Sequence, residues 1–470
     1  MAKILNKKSV DSEEDPLFKL VKFEQDFKYD DLSVDIIKFA KQELLDTLGV
    51  MIGGSSQDGI AQIVRYVEEQ GGKGEFTVPF YGTRVPAAMA GLAIGPMARA
   101  LDLGDVHVDA GHTGEYVLPP LMAATGLKKR ISGRDFLVSY ILGNEVNVRV
   151  GIADRFHDQV GQYNAHVING FGPTLGVAKL LGLNEEETLN AMGIARVVAT
   201  SIDWQMFVEG TLMVRTLHGF IARDAIISCQ LAQRGITGPH KIFLGEAGYL
   251  HQFCPFCEPY YNVLTEGLGL NWHYGKTGFK AFAACLAVHS ACSGIIDCIA
   301  ENNIKINDIK KIHLDVSEEE YHLNCEDKEL RWNPTTVVDC QFSMPYCVAT
   351  AAIKGKVFLD DYTKNERKRP DVRKLMTKIT ASASEDLPMW SAVVNVTLNN
   401  GSHYTKRCDY AKGTPENPMT FDETVEKFKN LVPYSYLPIS EQRVKEIISK
   451  ILKLETVNDV VEEVWSKITP

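Results

Sequence analysis

The chain has 470 residues, more than one hydrophobic core usually serves, so two domains are expected. Apolar residues make up 45% and charged residues 23%, which excludes a disordered chain. Fifty basic against sixty acidic residues give a net charge of −10, which argues against nucleic acid as a partner but leaves room for an anion in a local basic pocket.

In chain order, the N-terminus MAKILNKKSVDSEEDP has charges without an apolar run of signal-peptide length. Ser33 can cap a helix in which Ile36, Ile37, Ala40, Leu44, Leu45 and Leu48 share a face, ending at Gly53 and Gly54. The Gly- and Ala-rich pieces Ala87 to Ala100 and Gly170 to Ala178 suggest closely packed helices. Asn184 and Glu187 form a capping box for a helix through Leu189, Met192 and Ile194. A further helix is expected over Phe220–Gln233, stopping at Gly235, and another over Lys280–Ala300. Strand-like alternation then appears at Ile312, Leu314 and Val316, and at Val394, Val396 and Leu398 before the turn Asn399-Asn400-Gly401. The tail from Phe421 to Ile468 returns to amphipathic helices. The expected fold is mainly α with a smaller α+β domain: a helical domain over 1–265, rejoined by 420–470, and an inserted lid-like α+β domain over 266–419. No segment offers about 18 consecutive apolar residues, so no membrane contact is expected and a cytoplasmic protein is the default.

Ten scattered cysteines without a secretory signal point to free thiols, and the lone Cys254-Pro-Phe-Cys257 reads as a loop with two thiols. The densest polar cluster runs from Asp102 to Glu115, with four carboxylates, His107 and His112 in fourteen residues. Such a segment cannot be buried unless its groups are paired. A polar loop entering a helix N-terminus suits proton chemistry on an anion; a structural hydrogen-bonding loop and a metal site are the alternatives. Arg215 and His218 form a cation and an imidazole just before a helix. Lys276, Lys280, Cys285 and His289 form a third group, with Cys285 and His289 four apart on one helical face. His166 and Tyr346 are isolated polar groups. The signatures of nucleotide-binding loops, nucleophile elbows and zinc proteases are missing.

Five pieces in order resemble the MmgE/PrpD family. They are Ala100 to His112 with Val117-Leu118-Pro119, Gly170 to Leu183, Thr216 to Pro239, Asp339 to Tyr346, and Gly413 to Pro418. The resemblance implies a homodimer with an active site between a helical and a smaller α+β domain, and no bound cofactor or metal. Family activities are 2-methylcitrate dehydration, cis-aconitate decarboxylation and iminodisuccinate epimerisation. Carried over by position, the site falls on Asp102, His112, His166, Arg215, Lys280, Cys285 and Tyr346, with His218 and Gln341 added as substrate contacts. In that assignment Arg215 and Lys280 clamp carboxylates and His112 or His166 moves protons. Asp102 orients a histidine, and Tyr346 donates to a carboxylate or the leaving group.

Departures from the family shape the expectation. Arg215 stands where the decarboxylases have Lys, and Cys285 where they have a histidine, which removes a protonating group and argues for dehydration. Glu115 adds negative charge where an anion would dock, pointing to a substrate smaller or less charged than a tricarboxylate. The sequence therefore predicts a dehydratase-type lyase on a small hydroxy-polycarboxylate such as 2-methylcitrate. The alternatives are an epimerase or decarboxylase on a related acid and a non-catalytic carboxylate-binding dimer.

Overall fold

The computed structural model describes residues 15–154, 170–198, 206, 209–253 and 258–470; His166 and the Cys254–Cys257 pair lie outside them. The helical body contains α1 (Pro16–Asp26), α2 (Val34–Gly54), α3 (Ile60–Gln70), α4 (Ala87–Arg99), α5 (Gly114–Ala124), α6 (Gly133–Ala153), α7 (Phe171–Leu181), α8 (Glu185–Val198) and α9 (Met213–Ala232). Local chemistry starts several of these where the sequence indicates. The Ser33 hydroxyl accepts from the Ile36 amide at 3.3 Å, and Asn184 and Glu187 exchange two bonds of 2.9 Å at the head of α8. Helix α9 begins seven residues before Phe220, so Arg215 and His218 sit within it rather than ahead of it. Gly219 permits this, because its bare Cα faces α4: a Cβ there would lie 2.2 Å from the Leu92 carbonyl oxygen.

The smaller α+β part is a four-stranded sheet packed against helices. With β1 (Asp105–Val106) and β2 (Gly278–Phe279) reserved for a short antiparallel pair near the site, its strands are β3 (Ile309–Val316), β4 (Ile379–Ala383), β5 (Ala392–Leu398) and β6 (His403–Cys408). Their order is β4-β3-β5-β6, with β3 and β4 parallel and the other pairs antiparallel. Ile312, Leu314, Val394 and Val396 turn the buried face toward α10 (His289–Asn302), while Lys311 and Asn395 alternate outward. Helix α11 (Met344–Lys354) completes this layer.

The expected helix over Lys280–Ala300 is broken. Residues 281–284 bend, a 3₁₀ turn spans Leu286–Val288, and α10 starts only at His289. Cys285 therefore does not share a helical face with His289. The reason is tertiary: Phe279 pairs with Asp105 across β1 and β2, and the Cys285 amide bonds the Gln341 carbonyl at 3.0 Å, which holds the segment out of a helix.

Two hydrophobic clusters organise the interior. The first joins the body helices to tail residues Phe428, Ile447, Ile451 and Trp465. The second joins the sheet, α10 and α11, and it reaches into the body at Val50, Leu101 and Leu103. Asp102 thus lies on a seam, with its two neighbours anchored in the second cluster. Among the described residues no helix is long and apolar enough to cross a membrane, and the cysteines at 229, 285, 292, 298, 325, 340, 347 and 408 are free thiols.

Candidate active site

Helix α4 ends at Arg99, and the chain reverses through Asp102, whose φ of 50° places a non-glycine residue in the left-handed region. Such strain persists only where the surroundings hold it, and here two cations do. Arg99 Nη1 and Lys280 Nζ both donate to Asp102 Oδ1, the latter at 2.7 Å. Burial alone would raise the Asp102 carboxyl, yet Arg99 and Lys280 hold it well below the usual carboxylate range. Asp102 therefore bonds cations among the described residues, and not the histidine expected from sequence.

Glu115, in the first turn of α5, takes the histidine-orienting place instead. Its Oε1 lies 2.9 Å from His218 Nε2, 3.3 Å from His112 Nδ1 and 3.4 Å from Arg99 Nε, and the side chain is fully buried. Glu115 thus stands paired within the protein and not as a lone negative charge. Arg99 offsets part of its charge, and the two neutral imidazoles lie within hydrogen-bonding reach of Oε1. His218 stacks on Tyr116 with centroids 3.9 Å apart.

His112 retains about a fifth of its side-chain surface, at 20%. Its Nδ1 lies 2.8 Å from the Asp105 carbonyl oxygen, which can only accept, so Nδ1 carries the proton and Nε2 keeps its lone pair. Burial, with Arg99 and Lys280 nearby, pulls its pKa down to about 4 against the pull of Glu115. The ring is neutral at pH 7. Asp105 itself accepts from the Thr113, Gly114 and Glu115 amides at 2.8, 2.8 and 3.2 Å, capping α5 and fixing the loop.

Arg215 is buried at 4% exposure, and its Nη1 donates to the Asp58 carbonyl at 2.9 Å. Among the described residues no carboxylate pairs with it, and burial lowers its pKa to about 10. Cys285 is buried, and burial with the Asp102 charge pushes its thiol up to about 11. Two expected site residues are engaged elsewhere. Gln341 Nε2 donates to the Leu101 carbonyl at 2.8 Å, bracing the Asp102 turn. Tyr346, in α11, donates its hydroxyl to the Asp361 carbonyl and so does not join the Asp102 cluster.

Sequence reasoning missed Arg99, Glu43, Asp46 and Lys427. Lys427, from α12 (Phe421–Leu431), reaches Asp46 at 2.7 Å and the Leu103 and Lys280 carbonyls at 2.7 and 2.9 Å. Glu43 accepts from Thr113 at 2.9 Å and from Tyr274, and burial followed by the Asp105 charge raises its pKa well above the carboxylate range. Arg99 alone had a usable signal, since it stands three residues before Asp102 at the end of an Ala-rich helix.

Apart from Lys280, this constellation lies in segments that family comparison also marks. The MmgE/PrpD N-terminal domain matches residues 19–259, and the MmgE/PrpD C-terminal domain matches 282–454. The chain belongs to the MmgE/PrpD family. It is 28% identical over 466 residues to a cis-aconitate decarboxylase-like protein of Aspergillus oryzae, covering 93% of this chain and 94% of that one. It is 25% identical over 444 residues to the cis-aconitate decarboxylase of Homo sapiens, covering 90% and 88%. Against the Mus musculus cis-aconitate decarboxylase the figures are 23% over 464 residues, 92% and 89%.

Proposed function

We propose that the chain is a lyase acting on a small polycarboxylate by moving a proton on carbon next to a carboxylate. The observation that carries this reading is His112. It is neutral, its Nε2 has no hydrogen-bond partner among the described residues, and it stands within the field of Arg99 and Lys280. A neutral imidazole is the base this step needs near pH 7. Lys280, already drawn to Asp102, and Arg215, a buried cation without a carboxylate partner among the described residues, supply positive charge for the enediolate-like state that follows proton loss.

The leading substrate is a hydroxy-polycarboxylate such as 2-methylcitrate. His112 Nε2 takes the carbon-bound proton, the C–H pair becomes the new C=C bond, and the C–O bond breaks. The departing hydroxide leaves as water with a proton for which the Lys280 ammonium is the candidate donor. A second reading, decarboxylation of a cis-aconitate-like acid, has two supports. The relatives are so named, and the Cys285 thiol, with its pKa up at about 11, keeps a proton to give to carbon.

Proton NMR of the purified protein with 2-methylcitrate, citrate, cis-aconitate, malate and iminodisuccinate separates these readings. Water loss from 2-methylcitrate, seen as loss of its C–H signal, supports the first. Vinylidene signals from cis-aconitate support the second, and silence across the panel removes the lyase reading.

A further inference from the structure

Arg331 lies in the loop before α11, 5% exposed. Its Nε donates to the Leu323 carbonyl at 3.0 Å, but its Nη1 is buried with no hydrogen-bond partner among the described residues. Among the described residues no carboxylate pairs with it. A buried guanidinium in that state is unfavourable by itself and is relieved by an anion. The guanidinium carbon stands 5.9 Å from the centroid of Phe342. Phe342 belongs to a small apolar cluster with Val214, Cys285, Ala287 and Val338, against which Leu323 and Trp390 also pack.

Trp390 adds a second unmet donor at the same cluster. Its φ of 66° is left-handed, its carbonyl is held by the Ser290 hydroxyl, and its indole Nε1 is buried without a partner. Val214 of the same cluster directly precedes Arg215 in α9. Among the described residues, the Arg331 guanidinium and the Trp390 indole thus leave two buried donors unmet at one apolar cluster that holds the Cys285 thiol. Cys285 in this cluster feels the Asp102 and Lys280 charges, which ties the patch to the site.

We propose that Arg331, with the Trp390 N–H, forms a carboxylate subsite beside Cys285, where one carboxylate of a polycarboxylate substrate docks. This rests on the polycarboxylate reading and names the groups that select for it. A guanidinium fork and an indole donor at one apolar cluster suit a planar carboxylate with a methylene or methyl group beside it.

The test uses the full chain and tricarballylate, a saturated three-carboxylate probe with no hydroxyl to lose, titrated calorimetrically. Arg331→Gln should weaken tricarballylate binding about 30-fold and Trp390→Phe about fivefold, with acetate binding changed less than about threefold. Arg331→Lys should recover part of the loss. No tricarballylate binding by the wild-type chain, or a folded Arg331→Gln variant within twofold of wild type, overturns the subsite. If Arg331→Gln does not fold, wild-type affinity in Trp390→Phe overturns it. Arg331-dependent binding without turnover of any polycarboxylate would remove the lyase reading and keep this subsite. Turnover with an unchanged Arg331→Gln Michaelis constant would do the reverse.

Discussion

His112 draws its chemistry from two neighbours that no local pattern connects. The Asp105 carbonyl sets its tautomer, and burial beside Arg99 and Lys280 keeps it neutral. His112→Gln should lower kcat by about 10²-fold or more while leaving the fold intact, as steady-state kinetics and circular dichroism would report. The pH dependence follows in sign. With a folded pKa of about 4 against 6.5 in the unfolded chain, the ring stays basic down to about pH 4, so the acid limb of kcat/KM assigned to it lies near 4. Between 6.5 and about 4 the unfolded chain takes a proton that the folded one refuses. The contribution of His112 to stability is thus present above 6.5 and falls as pH drops through that window. Arg215→Gln should raise KM by about tenfold or more with a smaller change in kcat, and an unchanged KM places the substrate carboxylate elsewhere. At this scale the sequence was informative for residue types. Asp102, His112, Glu115 and His218 all stand in or against one cluster. It did not reveal who pairs with whom, because His218 meets Glu115 across 103 residues and Lys280 meets Asp102 across 178.

At the scale of elements, legibility followed the range of the forces involved. The heads of α2 and α8 are fixed by side chains three residues away, and both were readable from Ser33 and from Asn184 with Glu187. The sheet was readable from alternation in β3 and β5. The break at 281–288 was not, since nothing in Ala-Phe-Ala-Ala-Cys-Leu forbids a helix; long-range pairing to Asp105 and Gln341 decides it. Helix α9 starts before the expected Phe220 and runs through Gly219, which serves as a contact surface for α4. Gly219→Ala, pressing a methyl group 2.2 Å from the Leu92 carbonyl, should cost about 3 kcal/mol in denaturant unfolding. Gly170→Ala, with nothing within 4 Å, should cost only a few tenths.

Across the whole molecule, the body, the tail and the sheet layer meet through buried charge. Lys427 from α12 ties Asp46 of α2 to the Leu103 and Lys280 carbonyls, bracing both segments that carry the site. Lys427→Met should destabilise the chain by about 3 kcal/mol or more, because Asp46 would be left buried and unpaired. Adding Asp46→Asn should return part of that loss, so a double-mutant cycle of unfolding energies checks the pair. An additive cycle would mean the two charges do not interact. None of this tie was legible in sequence, where Asp46 and Lys427 are far apart and each sits on an ordinary amphipathic helix.

The central claim, proton transfer at carbon next to a carboxylate with His112 as base, is tested most directly by turnover in deuterated water. Mass spectrometry of recovered substrate and product, wild type against His112→Gln, reads it. The account predicts substrate consumption, with solvent deuterium at the exchangeable carbon, by the wild-type chain and a loss of both by about 10²-fold in the variant. Equal rates in the two proteins would contradict it.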